Sequence, residues 1–391
     1  MLPATDESPQ PPASANLSNW RTSPFSRWAF RNIRAILPVA EIENAGAGLP
    51  LPTRLKSFDQ FRLASGNGAS LTLEDVLKTT ATDGFMILHD GQVVYEFYDH
   101  GTAADTPHIL MSATKSVTGL IAGMLQAQGV LDTDAPVSDY VPEISATAYR
   151  GATVRHLLDM RTGIVLDAGQ SRAYAVAANW DPLVTGERRI GLHDFFANLV
   201  VPGHEHGGSF KYVSANTDLL GWVIERAAGK SFASLVSEWL WKPMGAVNAA
   251  YVTVDCKGAP RCTGGLCATV RDFARLGQLI ADGGNNGSAD IIPSALIADI
   301  AENGDRDAWK RGEFAASFGG RDMSYRSGWY VIHDEPKTLF AMGIHGQNLF
   351  VDRSNRLVIA KVSSQDSPID YRATALTHRA VAEIRRCLVG G

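Results

Sequence analysis

The chain has 391 residues, of which 45% are hydrophobic and 20% charged, and a formal net charge of −5. This composition is typical of a globular protein with enough apolar material for one large core or two domains. No basic stripe is present, which argues against a nucleic-acid partner, and no apolar stretch approaches the roughly 20 residues that span a membrane. The four cysteines lack paired C-x-x-C spacing, so we expect reduced thiols.

The N-terminal segment is predicted to be a tail and lead-in over residues 1–45. Residues 1–19 are rich in Pro, Ser, Ala and Asp and carry neither a basic start nor an apolar segment, so they do not resemble a secretory signal and we expect a cytoplasmic protein. After a loop-rich stretch, Gly84–His89 and Gln92–Tyr98 are predicted to form a hairpin. The two-residue turn Asp90-Gly91 between them is a strong hairpin signal.

Directly after this hairpin, Ser112-Ala113-Thr114-Lys115 introduces an apolar helix predicted over Ser116–Gln128. Spacing by three places the hydroxyl and the amine on one helical face. A serine becomes an effective nucleophile when a base removes its proton, and a lysine can be that base when desolvation lowers its pKa. By itself the pattern also fits an ordinary helix start with a capping serine.

The remaining elements divide into a middle segment of helices and a final segment of strands. In the middle, residues 131–265, periodicity predicts little strand and helices over Val154–Met160, His193–Leu199, Ala215–Ala228 and Phe232–Leu240. The final segment begins with a predicted helix over Val270–Ala281, ended by Gly283-Gly284, and ends with one over about Ala373–Leu388. Between these helices, strands are predicted over Ser327–Ile332, Thr338–Ile344, Asn348–Asp352 and Arg356–Val362.

Strands early and late in the chain, with helices between them, predict an α+β fold. Both ends of the chain would build one antiparallel sheet flanked by helices, and the middle would form an inserted, mainly helical lobe. We therefore expect a discontinuous sheet lobe from residues 46–130 and 266–391 and a helical lobe from residues 131–265. A catalytic cleft would lie between the two lobes.

Four motif blocks, in this order, resemble the serine β-lactamase-like hydrolases, a family that includes class C β-lactamases, penicillin-binding DD-peptidases and related esterases. The resemblance covers roughly residues 84–362 and implies the β-lactamase/DD-peptidase fold. Its blocks are Ser112–Lys115, Thr153–Ile164, Phe210–Ser214 continuing into Asp218–Gly221, and Gly264–Thr269.

The resemblance implies a catalytic set of Ser112 as nucleophile, Lys115 as base and Tyr212 as the working residue of a second motif, Tyr-x-Ser. A phenol near an ammonium is expected to have a lowered pKa, so that Tyr212 could exchange protons with the serine and the leaving group. Ser214 would share a hydrogen bond with Lys115 or with the substrate. The backbone N–H groups of Ser112 and Ile344 would form an oxyanion hole.

The family's third motif, Lys-Thr-Gly, matches Ala341-Met342-Gly343-Ile344-His345 without its lysine. In penicillin-recognising relatives that cation seats the substrate carboxylate, so Ala341 argues against β-lactams as the main substrate. His345 is included among the residues that could contact substrate. It could also be a base, but we favour a structural role because Lys115 and Tyr212 already fill the proton-transfer roles.

Within the family, the chain is most similar to the branch that cuts linear amides of the 6-aminohexanoate-dimer type and to related carboxylesterases. Such a substrate carries an ammonium, which calls for carboxylates, and Asp181 and Asp370 are the candidates. Trp180, next to Asp181, is expected to contact the substrate as well. Either acid could instead be an exposed surface residue, and Asp370 could stabilise its loop. The segment 167–174, including Tyr174, is expected to cover the substrate as a loop.

We therefore expect a serine hydrolase that acts through an acyl-enzyme on a small-molecule amide or ester, without a metal or other cofactor, and we leave a homodimer open. A short-chain carboxylesterase or a DD-peptidase-like enzyme of the same fold is the alternative within this class. A binding or sensor domain that is acylated without turnover is the alternative of another class. His204-Glu205-His206 has poor spacing for a metal site, and no G-x-S-x-G motif supports an α/β-hydrolase.

Overall fold

The computed structural model describes residues 15–46, 48–64, 68 and 70–390. The predicted tail at residues 1–14 lies outside the described residues. The helices are α1 Phe25–Ala29, α2 Leu73–Thr79, α3 Thr114–Ala127, α4 Val137–Tyr140, α5 Val154–Leu158, α6 Ala168–Ala177, α7 Leu192–Ala197, α8 Ser214–Ala228, α9 Phe232–Val236, α10 Val270–Ala281, α11 Ser294–Glu302, α12 Arg306–Lys310 and α13 Tyr371–Val389. The strands are β1 Val39–Ile42, β2 Leu63–Ala64, β3 Ser70–Leu71, β4 Thr82–His89, β5 Gln92–Tyr98, β6 His108–Ile109, β7 Ala250–Thr253, β8 Leu266–Ala268, β9 Met323–Arg326, β10 Trp329–Ile332, β11 Thr338–Gly343, β12 Gln347–Asp352 and β13 Leu357–Ser363.

The main sheet of the described chain has seven antiparallel strands in the order β5-β4-β13-β12-β11-β10-β9. Early strands β4 and β5 therefore pair with strands from the end of the chain, which confirms the predicted α+β fold. The β4–β5 hairpin turns at Asp90 and Gly91, whose φ angles are 51° and 74°. Positive φ at both central residues suits the twist of a tight hairpin.

Both faces of the central part of this sheet are covered, and strand β13 is therefore buried along its whole length. Alternate residues of β13 point to opposite faces. Val358 and Ala360 join a large core with residues of α3 and α10. Leu357 and Ile359 join a second core with α2 and α13.

A second sheet, with the order β1-β7-β8-β6, was not anticipated from the sequence. Its strand β7, Ala250–Thr253, lies inside the segment predicted to be helical, and all four of its residues are buried. Such a short, fully buried run lacks the alternation that identifies a strand. The sheet matters for the site because β6 leads into Ser112 and β8 follows Thr263. The boundaries between the two predicted lobes remain a prediction.

The helical segment differs from the prediction at two places. The helix expected over Phe232–Leu240 is α-helical only to Val236 and continues as a π-helical turn over Ser237–Trp241. The segment 167–174, expected to be a loop, begins helix α6, because Asp167 and Gln170 form a capping box at its start.

No helix of the described residues combines the length and the apolar character needed to cross a membrane. All four cysteines are free thiols, as predicted.

Candidate active site

Ser112 lies at a sharp turn between β6 and α3. The preceding residue, Met111, has a left-handed φ of 47°, and Met111–Ala113 form a 3-10 turn that leads into the helix. The helix start is anchored by Ser116, whose hydroxyl donates to the Gly328 carbonyl at 2.6 Å. A side chain at Gly328 would meet the Lys115 carbonyl at 2.3 Å. Close packing therefore fixes the direction in which Ser112 faces.

Lys115 follows Ser112 by less than one helical turn and is 2% exposed. Its Nζ lies 3.0 Å from Ser112 Oγ and donates to the Thr263 carbonyl at 2.8 Å. Burial lowers the pKa of the Lys115 amine well below its ordinary value, and the nearby positive charge of Arg261 lowers this pKa further against the opposing effect of Asp218. A neutral amine has a lone pair that can accept the Ser112 proton.

Tyr212 completes the group of residues around Ser112. Its ring centroid lies 4.8 Å from Lys115 Nζ. Burial raises the pKa of the Tyr212 phenol, and a hydrogen bond with Ser112 lowers this pKa by less than burial raises it. The expectation of an acidified phenol was therefore wrong, because burial of the phenol raises its pKa by more than the Ser112 hydrogen bond lowers it. Tyr212 rests as a protonated phenol that can donate.

The second predicted oxyanion donor, Ile344, begins a turn directly after β11. The strand ends at Gly343, one residue earlier than predicted, and residues 344–346 form a 3-10 turn. A side chain at Gly343 would meet the Leu110 carbonyl at 2.6 Å, so glycine is required for this close approach to the Ser112 turn. Ser112 and Ile344 both line the cleft. The role of their N–H groups as oxyanion donors stays a prediction.

His345, the other candidate in this turn, is fully buried and is not among the residues that line the cleft around Ser112. Its φ of 61° turns the imidazole inward, where Nδ1 lies 2.7 Å from the Gln365 carbonyl and the ring packs against Phe30. This geometry supports the favoured structural role and corrects the inclusion of His345 among residues that contact substrate.

A buried network behind Lys115 was missed from the sequence. Asp218 accepts from the Thr263 N–H at 2.8 Å and also from Arg261 and the Tyr174 hydroxyl. It thereby holds Thr263, whose carbonyl accepts from Lys115. The available signals were Asp218, in the motif after Tyr212, and the Gly264-Gly265 pair after Thr263. Neither signal identifies the backbone carbonyl as a partner.

Ser214, Tyr174 and Trp180 all line the cleft on the side of the helical segment. Among the described residues no hydrogen bond joins Ser214 to Lys115, since Thr263 takes that position; contact of Ser214 with substrate stays a prediction. Tyr174 is a buried partner of Asp218 rather than part of a covering loop. The Trp180 indole N–H donates to Thr253 Oγ1 at 3.2 Å, which orients the ring.

The two predicted ammonium ligands are both engaged by the protein. Asp181 pairs with Arg21 and, at 3.2 Å, with Arg172. It is not among the residues that line the cleft, whereas Arg21 is. The structure thus corrects the expectation for Asp181, because two guanidinium groups already neutralise it. Asp370 lines the cleft but caps α13, accepting from the N–H groups of Arg372 and Ala373 at 2.9 Å each. This matches its alternative, structural role.

The cleft consists of two chambers that share Ser112, Tyr212 and Ile344. The aromatic chamber has a volume of about 440 Å³ and lies between the segment 314–321, β11 and α13. The cationic chamber has a volume of about 470 Å³ and lies against α6 and the start of α8. The aromatic chamber is lined by Phe314, Phe318, Tyr330, Met342 and Ile369, among others. The cationic chamber is lined by Arg21, Trp180, Lys211, Arg261, Thr263 and Glu313, among others.

The imidazoles of His204 and His206 have structural partners. His204 Nε2 lies 2.6 Å from the Ala148 carbonyl, and His206 Nδ1 lies 2.7 Å from the Thr162 carbonyl. No group of three or more metal-ligating side chains occurs within the described ranges. These histidines fix the loop before Tyr212.

Comparison with known proteins agrees with this architecture. The family model described as Beta-lactamase matches residues 72–384, and the chain belongs to this family. Within it, the chain is a hydrolase of the β-lactamase and esterase superfamily.

Two curated relatives and one solved structure are similar to this chain. The chain is 31% identical to the 6-aminohexanoate-dimer hydrolase of Paenarthrobacter ureafaciens over 378 residues, which cover 95% of this chain and 94% of the relative. It is similar to the solved structure of a candidate 6-aminohexanoate-dimer hydrolase from Bacillus anthracis, with a TM-score of 0.87, 27% identity and coverage of 96% and 97% of the two chains. It is also 29% identical to Esterase EstB of Burkholderia gladioli, over 39% of this chain and 40% of that protein.

Proposed function

We propose that this protein is a serine hydrolase that cleaves a linear amide of the 6-aminohexanoate-dimer type through an acyl-enzyme at Ser112, and that it also hydrolyses carboxylic esters. One observation carries the proposal: the Lys115 amine is buried 3.0 Å from Ser112 Oγ, and its pKa is lowered. The similarity to a 6-aminohexanoate-dimer hydrolase over nearly the whole chain supports the choice of a linear amide.

In the first step the neutral Lys115 amine takes the Ser112 proton while Oγ attacks the substrate carbonyl. The negative charge that develops on the carbonyl oxygen is stabilised by the N–H groups of Ser112 and Ile344. Preorganised backbone donors of this kind supply about 3 kcal/mol each in other hydrolases.

In the second step the tetrahedral intermediate expels the amine. The phenol of Tyr212 protonates the leaving nitrogen and regains a proton from the Lys115 ammonium, which lies 4.8 Å from the phenol ring. Water then attacks the acyl-enzyme, passes one proton to Lys115 and releases the acid, while Ser112 recovers its proton. Every proton is returned, so the cycle needs no further cofactor.

The test is a comparison of three substrates with the purified protein: the linear 6-aminohexanoate dimer, a p-nitrophenyl butyrate and a chromogenic cephalosporin. We expect hydrolysis of the dimer and the ester, both lost in Ser112→Ala, with little turnover of the cephalosporin because Ala341 replaces the family's lysine. Mass spectrometry of the quenched reaction should show an acyl group on Ser112. Dimer hydrolysis that survives Ser112→Ala would refute the proposal.

A carboxylesterase without amidase activity is the second candidate. The apolar lining of the aromatic chamber and the partial similarity to Esterase EstB favour it. Hydrolysis of the ester but not the dimer would select this function. An acylation burst without a steady state would instead support an acylated sensor.

We further propose a cytoplasmic location and keep a homodimer as a possible assembly. Cell fractionation and light scattering of the purified protein test these two points independently of catalysis.

A further inference from the structure

Two arginines of the cationic chamber lie against the same tryptophan. The Arg21 guanidinium carbon is 5.7 Å from the Trp180 ring centroid, and that of Arg261 is 4.7 Å from it. Burial lowers the pKa of Arg21 most, and the positive charge of Arg261 is close enough to lower it further. Like charges held together in a partly buried cleft are stabilised when an anion binds between them.

The carboxylates that pair with these arginines lie outside the lining of the chamber. Asp181, which binds Arg21, and Asp218, which binds Arg261, are both absent from its lining, while the arginines are present. Arg21 uses only Nη2 in its hydrogen bonds to the described residues. A guanidinium has five N–H donors, so Arg21 retains donors for a ligand.

Two residues of the same lining each carry a buried side-chain polar atom that has no hydrogen-bond partner among the described residues. These atoms are Arg261 Nε and the Thr263 hydroxyl oxygen, on side chains of residues that are 6% and 3% exposed. Unpaired buried polar groups are uncommon in folded proteins, and a bound polar ligand is one way to satisfy them. Lys211 adds a third cation to the lining and forms no ion pair within the described chain.

We infer that the cationic chamber binds a carboxylate of the substrate, with Arg21 and Arg261 on either side and the Thr263 hydroxyl as an additional donor. This inference rests on the proposed function, since it names the substrate group that lies beside Ser112. The substrate class is then a linear amide or ester with a terminal carboxylate. Arg21, Arg261 and Lys211 outnumber the one carboxylate that the chamber's described lining contains, Glu313, so a carboxylate is favoured there over an ammonium.

The test uses four esters of similar length, which either an amidase or an esterase of this type could cleave: hexyl hexanoate, monohexyl adipate, the hexanoate ester of 6-hydroxyhexanoate and hexyl 6-aminohexanoate. The first is neutral, the next two place a carboxylate on the acyl or the alcohol side, and the last carries an ammonium. We expect at least one of the two carboxylate esters to have a kcat/KM about tenfold or more above that of the ammonium ester, because its KM is lower.

Arg21→Gln should reduce this preference by about tenfold. The matched control is Arg226→Gln, because Arg226 also pairs with a carboxylate, Glu143, and lies 5.6 Å from a tryptophan ring centroid, but is outside the cleft. The control should keep the preference of the original protein. Equal kcat/KM values for all four esters, or a preference for the ammonium ester, would overturn the inference while leaving the serine hydrolase intact.

Binding separates this inference from the proposed function. Calorimetry with the Ser112→Ala protein should show tighter binding of the carboxylate ester than of the ammonium ester, and Thr263→Val should weaken only the former. If binding shows this order but the unmodified protein cleaves no ester, the proposed function fails and the carboxylate site stands. If binding shows no order, the carboxylate site is refuted whatever the activity.

Discussion

The two chambers that meet at Ser112 differ in the kind of recognition they can provide. The aromatic chamber presents rings such as Phe314 and Phe318, whose contacts grow with the length of an apolar chain. The cationic chamber presents Arg21, Arg261 and Lys211, whose interactions depend on charge. The proposed nucleophile therefore lies between a chamber in which aromatic rings dominate, although Arg321 and Arg379 also line it, and a chamber in which charge dominates.

The largest expected effect comes from removing the group that both chambers share. Ser112→Ala should lower kcat by about 10⁴-fold or more, because the nucleophile is lost while the oxyanion donors and both chambers remain. Stopped-flow and steady-state assays with p-nitrophenyl hexanoate measure this. Unchanged circular dichroism and retained binding of hexanoate would show that the fold and the chambers are intact; a decrease below tenfold would contradict the assignment.

The next effect concerns the base. The pKa of Lys115 is lowered by burial, so kcat/KM should fall as the pH drops through this pKa and the amine becomes protonated. Lys115→Arg should lose about 10²- to 10⁴-fold in kcat, because an arginine stays protonated.

The fall in kcat/KM at low pH, the acid limb of the pH–rate profile, should have the same midpoint for substrates that fill either chamber, because both depend on the same amine. A pH–rate profile recorded with a neutral and a carboxylate ester tests it. A limb that shifts with the charge of the substrate would indicate a different titrating group.

A smaller loss is expected at Tyr212. Tyr212→Phe keeps the ring that stacks on Phe314, with centroids 5.3 Å apart, but removes the proton donor. We expect kcat to fall by about 10²-fold for an amide and by less for a p-nitrophenyl ester, whose leaving group departs without protonation. Equal losses for the two substrates would argue against Tyr212 as the acid.

The smallest effect should distinguish the chambers. Phe314→Ala removes aromatic area and should raise KM about tenfold for a hexanoyl ester, with little change for an acetyl ester. Phe58→Ala is a matched control, since Phe58 packs on Tyr95 with the same 5.3 Å centroid separation but lies outside the cleft. A loss that is independent of chain length, or shared by the control, would assign Phe314 to stability alone.

Much of this architecture follows from local patterns in the sequence. Helix α10 has the predicted bounds, Val270–Ala281, because its apolar face, its Thr269 cap and the glycines after it agree. The β4–β5 hairpin was predicted because its turn residues accept positive φ. Ser112, Lys115 and Tyr212, which lie together in the structure, were predicted as a set because their spacing and their motifs point to one chemistry.

What could not be predicted depends on partners that are distant in the chain. Asp181 looks available in the sequence, but Arg21, 160 positions earlier, neutralises it. The acidity of Tyr212 was predicted with the wrong sign, because the degree of burial decides it. Strand β7 has too few residues for a period to be visible and is defined by its pairing with β1 and β8.

The pairing of β6 with β8 has a consequence for how the protein acquires activity. This short ladder brings Lys115 to the Thr263 carbonyl, a contact between residues 148 positions apart. Forming this contact closes a long loop of the chain, and such non-local contacts form slowly. Onset of turnover during refolding should therefore be a late event, and would report completion of nearly the whole chain.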